Sequence, residues 1–260
     1  MDNLPACQSP SAKMVAENIK RLELVCPKSM DFSQFATQLI VCLNEIQKPC
    51  DAKSVLISAF NLCQIGLIPG GLLGHAYLIP RRIRDSYRCC VEIGYQGYMS
   101  MARESGWLDT VYADVVLHGE VFRHFVDRSG PQIEHELPID RVLSNSNVRT
   151  SCVGAYCVYT TKSHHQSLRV VPKSSIDTVD SGRDVWQSHY YEMVRKTAIR
   201  RAAKDWHMRS NRLNMAMALD EDTELQRPQR FLGELTGAIR EALHAQKSFS
   251  LSDLEVQDDS

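Results

Sequence analysis

Apolar residues in the first quarter of the chain recur every three to four positions, the spacing of one helix face. Such a pattern covers residues 11–25, and it returns after Asp31 and again after Asp51. Both aspartates suit the position before a helix, where the carboxylate accepts a hydrogen bond from a backbone amide. Gly66 suits the left-handed residue that ends many helices. The sequence therefore predicts three consecutive helices before residue 67.

The apolar period then changes towards that of strands. We predict strands over Ala76–Pro80, Cys89–Ile93, Trp107–Leu117, Cys152–Tyr159 and Ser167–Val171. A basic loop over Arg81–Arg88 joins the first two, and a short helix is expected over Tyr95–Ser105. Strands and helices that mix without regular alternation indicate an α+β protein. We expect antiparallel hairpins packed with helices, a helical N-terminal part and an acidic C-terminal extension.

Charge is distributed unevenly along the chain, although the formal net charge is only −1. The stretch from Ser181 to Arg212 carries a net charge of +5, and the stretch from Leu213 to Ser260 carries −6. This asymmetry favours a body that binds a polyanion and an acidic tail. A solvated basic helix with a solubilising tail gives the same pattern, so charge alone leaves both interpretations open.

A basic helix is predicted from Asp184 to about Met208. At helical spacing, Lys196, Arg200, Lys204 and His207 share one face, and small or apolar residues collect on the opposite face. The cations would lie about 6 Å apart, comparable with the phosphates of a nucleic-acid strand. An amphipathic helix with a merely hydrated basic face is the alternative.

The chain divides on sequence grounds into three parts: an N-terminal helical arm over residues 1–30, a core over 31–225, and residues 226–260. We expect the stretch from Gln226 to Arg230 to be a linker. An amphipathic helix from Phe231 and a tail rich in serine and aspartate follow.

Catalytic motifs are scarce. The chain has no Walker loop, HExxH or GxSxG motif, and its nine cysteines form no CxxC pair. Cysteines of this kind in a chain without an export signal are typical of a reducing cytosol. No apolar run is long enough for a membrane helix. The acidic run Asp220–Asp222 with Glu224 could hold a divalent ion, which keeps a metal-dependent DNA nuclease as an alternative. A DNA-binding regulator is the other alternative.

Several motifs in register carry a family resemblance. They are Leu67–Gly70, Leu73–Pro80, Ile93–Tyr98, Ala102–Gly106, Trp186 with Met193, Arg195–Arg201, and the acidic Asp220–Asp222. In this order and spacing they resemble the RecT family of phage and prophage single-strand annealing proteins, which are Rad52-like annealing recombinases. The resemblance covers roughly residues 30–225.

The resemblance implies a DNA recombination protein that is not an enzyme. Such a protein binds single-stranded DNA and anneals complementary strands without ATP or another cofactor, and magnesium is left open as a modulator. It implies a homo-oligomer, as a ring or filament, that holds single strands and the annealed duplex. A partner exonuclease, the host single-strand-binding protein, and a place in the cytoplasm of a bacterial host are also implied.

Residue by residue, Lys196 and Arg200 match basic positions on the family's DNA-lining helix, and Arg103 matches the arginine after the Gly-Tyr-x-Gly segment. Gln96 departs from the family, where many members have Lys or Arg; basic residues on the adjacent hairpin could compensate. Tyr95 and Tyr98 could support bases or simply belong to the core. The full set of candidate DNA-binding residues is Arg81, Arg82, Arg88, Tyr95, Gln96, Tyr98, Arg103, Trp186, Lys196, Thr197, Arg200, Arg201 and Lys204.

Overall fold

The computed structural model describes residues 4–233 except residues 72, 129, 144–147, 181, 183 and 207–209. The helices are α1 (Pro10–Glu17), α2 (Ile19–Glu23), α3 (Phe32–Glu45), α4 (Ala52–Ile65), α5 (Tyr95–Glu104), α6 (Ile139–Leu143), α7 (Val148–Ser151), α8 (Lys173–Asp177), α9 (Asp184–Ser188), α10 (Tyr190–Trp206) and α11 (Asn211–Glu224). The strands are β1 (Ala76–Ile83), β2 (Ser86–Ile93), β3 (Leu108–Leu117), β4 (Val121–Asp127), β5 (Gly130–Glu136), β6 (Cys152–Thr161) and β7 (Gln166–Pro172).

These elements make an α+β protein with antiparallel strands and a helical N-terminal part, as predicted. The described chain forms two compact units. The first unit contains the residues up to Gly97 together with those from Asn214 onward, and the second contains Tyr98–Leu213. The acidic tail and the last predicted helix beyond Gly233 lie outside the described residues. None of the described helices has the length and apolar character needed to cross a bilayer.

Helices α3 and α4 begin at the capping residues that the sequence predicts. Asp31 accepts a hydrogen bond from the Gln34 amide at 3.1 Å, and Asp51 accepts one from Ser54 at 2.9 Å. Gly66 is left-handed with φ of 73°. The predicted helix over residues 11–25 is instead split in two at Asn18. The Asn18 side chain donates to the Met14 carbonyl at 2.9 Å, a local bond that competes with helix continuation.

The first unit contains the hairpin of β1 and β2, whose register runs from the Ala76–Ile93 pair to the Ile83–Ser86 pair. The expected basic loop over Arg81–Arg88 is therefore wrong. Only Arg84 and Asp85 form the turn, and Arg84 adopts a positive φ of 55°. A two-residue turn is the tightest common hairpin connection. It leaves the remaining arginines on the strands.

The outer edge of β2 is covered by side chains rather than by another strand. Ser54 and Ser58 of α4 bond the amide and carbonyl of Cys89 at 2.9 and 2.8 Å. The Gln229 side chain accepts from the Val91 amide at 2.7 Å and donates to the Val91 carbonyl at 2.6 Å. The expected linker over residues 226–230 is thus wrong, because this segment closes a sheet edge.

Two glycines of the Ile93–Tyr98 motif allow a close backbone approach. A Cβ on Gly94 would lie 2.0 Å from the Gly74 carbonyl oxygen, and one on Gly97 would lie 2.2 Å from the His75 oxygen. The Gly94 amide donates to the His75 carbonyl at 2.9 Å. The Gly74–His75 segment before β1 therefore packs directly on the start of α5, which explains why the Ile93–Tyr98 motif needs glycine at both positions.

The second unit is built on the antiparallel sheet β3–β6–β7, with α10 packed against all three strands. The predicted extended segment and second hairpin are confirmed. The predicted basic helix divides into α9 and α10 at His189. The hairpin of β4 and β5 was not predicted, and neither were the short helices α6, α7 and α8.

Candidate nucleic-acid interface

Helix α10 is fixed on the sheet by its apolar side. Val194, Ala198, Ile199 and Ala202 have no exposed surface, and Trp206 is 1% exposed. The Trp206 ring meets the Tyr159 ring edge-on at 5.3 Å between centroids. Small residues bring the helix backbone close to the strands, and the ring pair fixes its C-terminal end. The orientation of α10 about its axis is therefore set by the core.

This orientation places a row of cations on the other side of α10. Lys196, Arg200 and Lys204 follow at intervals of four residues, so successive Cα atoms are about 6 Å apart along the axis. Lys204 is exposed, whereas Lys196 and Arg200 are half-buried. His207, the fourth predicted member, lies outside the described residues. The geometry of the row agrees with the sequence pattern.

Arg195 lies on the sheet side of α10, where an arginine needs a partner if it is buried. Its Nε donates to the Ala113 carbonyl at 2.9 Å, and its guanidinium lies 5.5 Å from the centre of the Tyr191 ring. The Ala113 carbonyl supplies this partner. Arg195 thus holds α10 to the edge of β3.

Two further candidate cations, Arg103 and Arg201, lie in the second unit. Arg103 is exposed near the end of α5, and Arg201 is half-buried on α10. Among the described residues, neither forms an ion pair. Their charges are therefore not neutralised by an acidic side chain within the described part of the unit.

The candidate cations of the first unit lie on the β1–β2 hairpin, and two of them pair with acids. Arg81 is bonded to Glu92 at 2.7 Å, with both side chains largely buried. Arg88 lies 3.9 Å from Asp51. Arg82 is exposed. The hairpin therefore offers less uncompensated charge than its sequence indicates.

The aromatic and hydroxyl candidates are mostly interior. Tyr98 has no exposed surface, and Trp186 is 2% exposed and packs edge-on against Tyr190 at 6.0 Å. The Thr197 hydroxyl donates to the Met193 carbonyl at 2.9 Å. Half-buried Tyr95 accepts a hydrogen bond from Gln96 at 2.9 Å. The candidates thus fall into one set in each unit, and DNA contact stays a prediction for every one of them.

A buried polar network in the second unit escaped sequence analysis. Arg141 donates to Asp114 and Glu120, both at 2.8 Å, and also to the Val115 carbonyl at 2.6 Å. His135 bridges Glu120 and the Tyr156 hydroxyl at 3.0 and 3.1 Å. Its members are spread over more than 40 residues without a recognisable spacing. The network fastens β3, β4–β5, β6 and α6 to one another.

Helix α10 joins this network through Tyr191, whose hydroxyl donates to Asp114 at 2.9 Å. Burial, followed by this bond to a carboxylate, raises the pKa of Tyr191 to about 12. The phenol therefore remains a neutral donor at physiological pH, and α10 is tied to the sheet by a polar contact as well as by its apolar side.

The acidic run lies on α11 in the first unit and is partly buried. Asp220 accepts a hydrogen bond from the Ile93 amide at 3.2 Å, and Asp222 is 6% exposed. Burial raises the pKa of Asp222, against the lowering effect of Arg230 and Arg227. Among the described residues, no group of His, Cys, Asp and Glu side chains is placed to hold a metal ion. Nothing in the described geometry favours the nuclease alternative.

Comparison with known proteins relates the sequence of this chain to a protein family. A model of the RecT family matches residues 33–230, which include the β1–β2 hairpin, helix α10 and the partly buried acidic run on α11. The chain is 30% identical over 188 residues to Protein RecT of Escherichia coli (strain K12). This alignment covers 68% of the chain and 65% of the length of that relative. Because the family match extends over most of its length, the chain belongs to the RecT family.

Proposed function

We propose that this protein binds single-stranded DNA and anneals complementary strands without ATP, in homologous recombination of the phage type. Family membership supports this function. The observation that carries it is the row of cations on α10, presented by a helix whose opposite side is fixed in the core. This row has the spacing of a phosphate backbone.

The proposed mechanism uses contacts to phosphates rather than to bases. Contacts of that kind carry no sequence information, so one surface can hold any strand. Base edges stay free to test a second strand, and Watson–Crick pairing supplies the specificity. No covalent bond is made or broken, so annealing itself requires no general acid, no general base and no nucleotide cofactor.

Assembly is part of the proposal because a single protomer has few candidate phosphate contacts. A strand held by a few contacts dissociates readily at physiological salt. Protomers lined up along one strand multiply these contacts and raise the effective affinity. We therefore propose a homo-oligomer, as a ring or filament. An exonuclease that exposes single strands and the host single-strand-binding protein are the proposed partners.

The direct test mixes two complementary oligonucleotides with the protein in the absence of ATP. Duplex formation and strand length are followed together, with and without Mg²⁺. We expect accelerated duplex formation with strands of unchanged length. Shortened strands in the presence of Mg²⁺ would instead favour the nuclease alternative, and unchanged annealing rates would contradict the proposal.

Substitutions in the α10 row test which surface holds the DNA. Lys196→Ala or Arg200→Ala should weaken single-strand binding for every DNA sequence. Each lost phosphate contact should reduce the slope of log affinity against log salt by about 0.7. Lys162→Ala, which removes an exposed cation from the β6–β7 turn, is the matched control and should keep both quantities. Unchanged affinity and slope in both row variants would exclude this surface.

A further inference from the structure

Two cysteine thiols meet in the first unit, where the N-terminal arm packs on α4. Cys63 lies on α4 with no exposed surface, and its Sγ donates to the carbonyl of Leu22 on α2 at 3.3 Å. One helical turn further along the arm, the Cys26 amide donates to the Glu23 carbonyl at 3.2 Å. The thiols of Cys26 and Cys63 are in hydrogen-bond contact with each other. Two sulfur atoms from distant parts of the sequence are therefore close enough to react.

The two thiols differ in their access to solvent. Cys26 is half-buried, whereas Cys63 is buried. The Cys26 Sγ lies 3.5 Å from the Pro27 carbonyl oxygen and 4.0 Å from that of Met30, both of them neutral acceptors. A small solute can therefore reach Cys26 from outside, and Cys63 is placed behind it. An accessible thiol beside a second thiol is the arrangement in which an oxidised sulfur is captured as a disulfide.

A bond between these residues would join two different parts of the chain. The match to the RecT family begins at residue 33, so Cys26 precedes it and Cys63 lies within it. The bond would attach the arm covalently to α4 and close a loop that contains α3. Closing such a loop restricts the unfolded chain and so stabilises the folded one. The arm would then be held on α4 by a covalent bond as well as by packing.

We propose that Cys26 and Cys63 form an oxidation site at which a hydroperoxide converts the two thiols into a reversible disulfide. The Cys26 thiolate attacks one peroxide oxygen and the O–O bond breaks, which leaves a sulfenic acid on Cys26. With hydrogen peroxide, the departing hydroxide takes up the proton that Cys26 released. The Cys63 sulfur then attacks the Cys26 sulfur, the S–O bond breaks, and water leaves with the Cys63 proton. Two thiols and one peroxide thus give one disulfide and two water molecules.

This modification goes beyond the proposed function and involves no DNA. In a reducing compartment both residues are thiols, and a thiol reductant returns the disulfide to that state after oxidation. An oxidised chain that fails to anneal DNA would leave the oxidation site intact. A chain that anneals without forming the disulfide would contradict the oxidation site alone.

The surroundings of Cys26 give the first step a characteristic pH dependence. Burial raises the pKa of the Cys26 thiol above its ordinary value of 9.0, the contact with Cys63 acts against this, and Glu23 and Asp31 raise it further. Only the thiolate attacks peroxide, so the rate should increase about tenfold per pH unit throughout the range below the ordinary pKa. A rate of disulfide formation that is independent of pH in this range would contradict attack by Cys26.

Peptide mapping of the full chain tests the pairing. The reduced chain is treated with hydrogen peroxide, its remaining thiols are alkylated, and it is cut with trypsin without reductant. Cleavage after Lys and Arg leaves Cys26 in residues 22–28 and Cys63 in residues 54–81, each as the sole cysteine of its peptide. We expect a linked peptide that is lighter by two hydrogen atoms than the two separate ones. Cys26 recovered in alkylated form, as sulfinic acid, or linked to another cysteine would overturn the proposal.

Two serine variants provide a matched comparison, because Cys7 and Cys26 are both half-buried and both precede α3. Cys7→Ser should form the linked peptide at the rate of the wild type. Cys26→Ser should not form it, and its Cys63 should remain open to alkylation after unfolding. Urea midpoints of the reduced variants show that both fold. Equal yields of linked peptide in the wild type and Cys26→Ser would refute the assignment.

Thermal melting tests whether the disulfide fastens the arm. The oxidised wild type should melt about 5 °C above the reduced wild type, and dithiothreitol should remove the difference. Cys26→Ser should show no such rise after the same treatment. An oxidised wild type that contains the linked peptide but melts with the reduced chain would overturn the proposed attachment of the arm.

Discussion

The side-chain amide of Gln229 hydrogen-bonds the free edge of strand β2, where no neighbouring strand of the described chain pairs with it, and thereby stabilises the first unit. Besides its two bonds to Val91, its nitrogen donates to the Leu219 carbonyl at 3.0 Å and to the Thr223 hydroxyl at 2.9 Å. Gln229→Leu puts an apolar side chain of similar size in place of the amide. It leaves the Val91 amide buried without a partner and the Val91 carbonyl with only the long 3.5 Å contact from the Thr223 hydroxyl. Each such group costs about 1–3 kcal/mol. We expect a loss of about 3 kcal/mol in the free energy of unfolding.

Urea denaturation of the full chain, followed by circular dichroism, measures this loss as a shift in the midpoint of the transition. Gln34→Leu is the control, because Gln34 is exposed on α3 and its side chain makes no hydrogen bond in the described structure. The two variants lose the same chemical group, so their difference isolates the buried edge contact. A Gln229→Leu midpoint equal to that of the control would refute the claim that Gln229 closes the sheet.

Three further expectations follow from the buried contacts. A chain truncated after Arg227 should melt well below a chain truncated after Gly233, because only the longer one keeps the segment that closes β2; equal melting temperatures would contradict this. Arg141→Met should cost about 3–5 kcal/mol by urea denaturation, since it leaves two buried carboxylates uncompensated, whereas Arg149→Met, at an exposed site, should cost less. Asp222→Asn should increase stability at pH 7. The folded pKa of Asp222 is raised above its ordinary value of 3.8, so the stability linked to this group is present at lower pH and lost as pH rises through the folded pKa. Equal slopes of the free energy of unfolding against pH for the wild type and Asp222→Asn would contradict this expectation.

Local features of the fold could be predicted from the sequence. The caps Asp31 and Asp51, the glycine that ends α4 and the two-faced pattern of α10 each act over a few residues, so their signal is contained in one short stretch. The motif Ile93–Tyr98 was recognisable for the same reason. Such features depend on backbone conformation and helix periodicity, which neighbouring residues largely determine.

Long-range contacts could not be predicted. Gln229 lies in a stretch rich in Arg, Pro and Gln that reads as a linker, yet it bonds a strand 138 positions away in sequence. Strands β4 and β5 were missed because β4 is exposed at every position except Phe122 and no residue of β5 is fully buried, so the alternation of apolar and polar residues is weak. The basic loop was misplaced because arginines on a strand resemble a loop by composition. In each case the deciding partner is distant in sequence.

The structure also determines which cations can report on DNA binding when they are replaced. Arg81 is bonded to buried Glu92, so Arg81→Ala would leave a buried carboxylate and lower stability before it tested any phosphate contact. Arg195 likewise holds α10 to β3. Arg82 and Arg103 are exposed and form no ion pair with described residues, so their replacement should change DNA affinity with little change in stability. A comparison of the two classes of variant therefore separates loss of fold from loss of the nucleic-acid surface, which a uniform alanine scan would confuse.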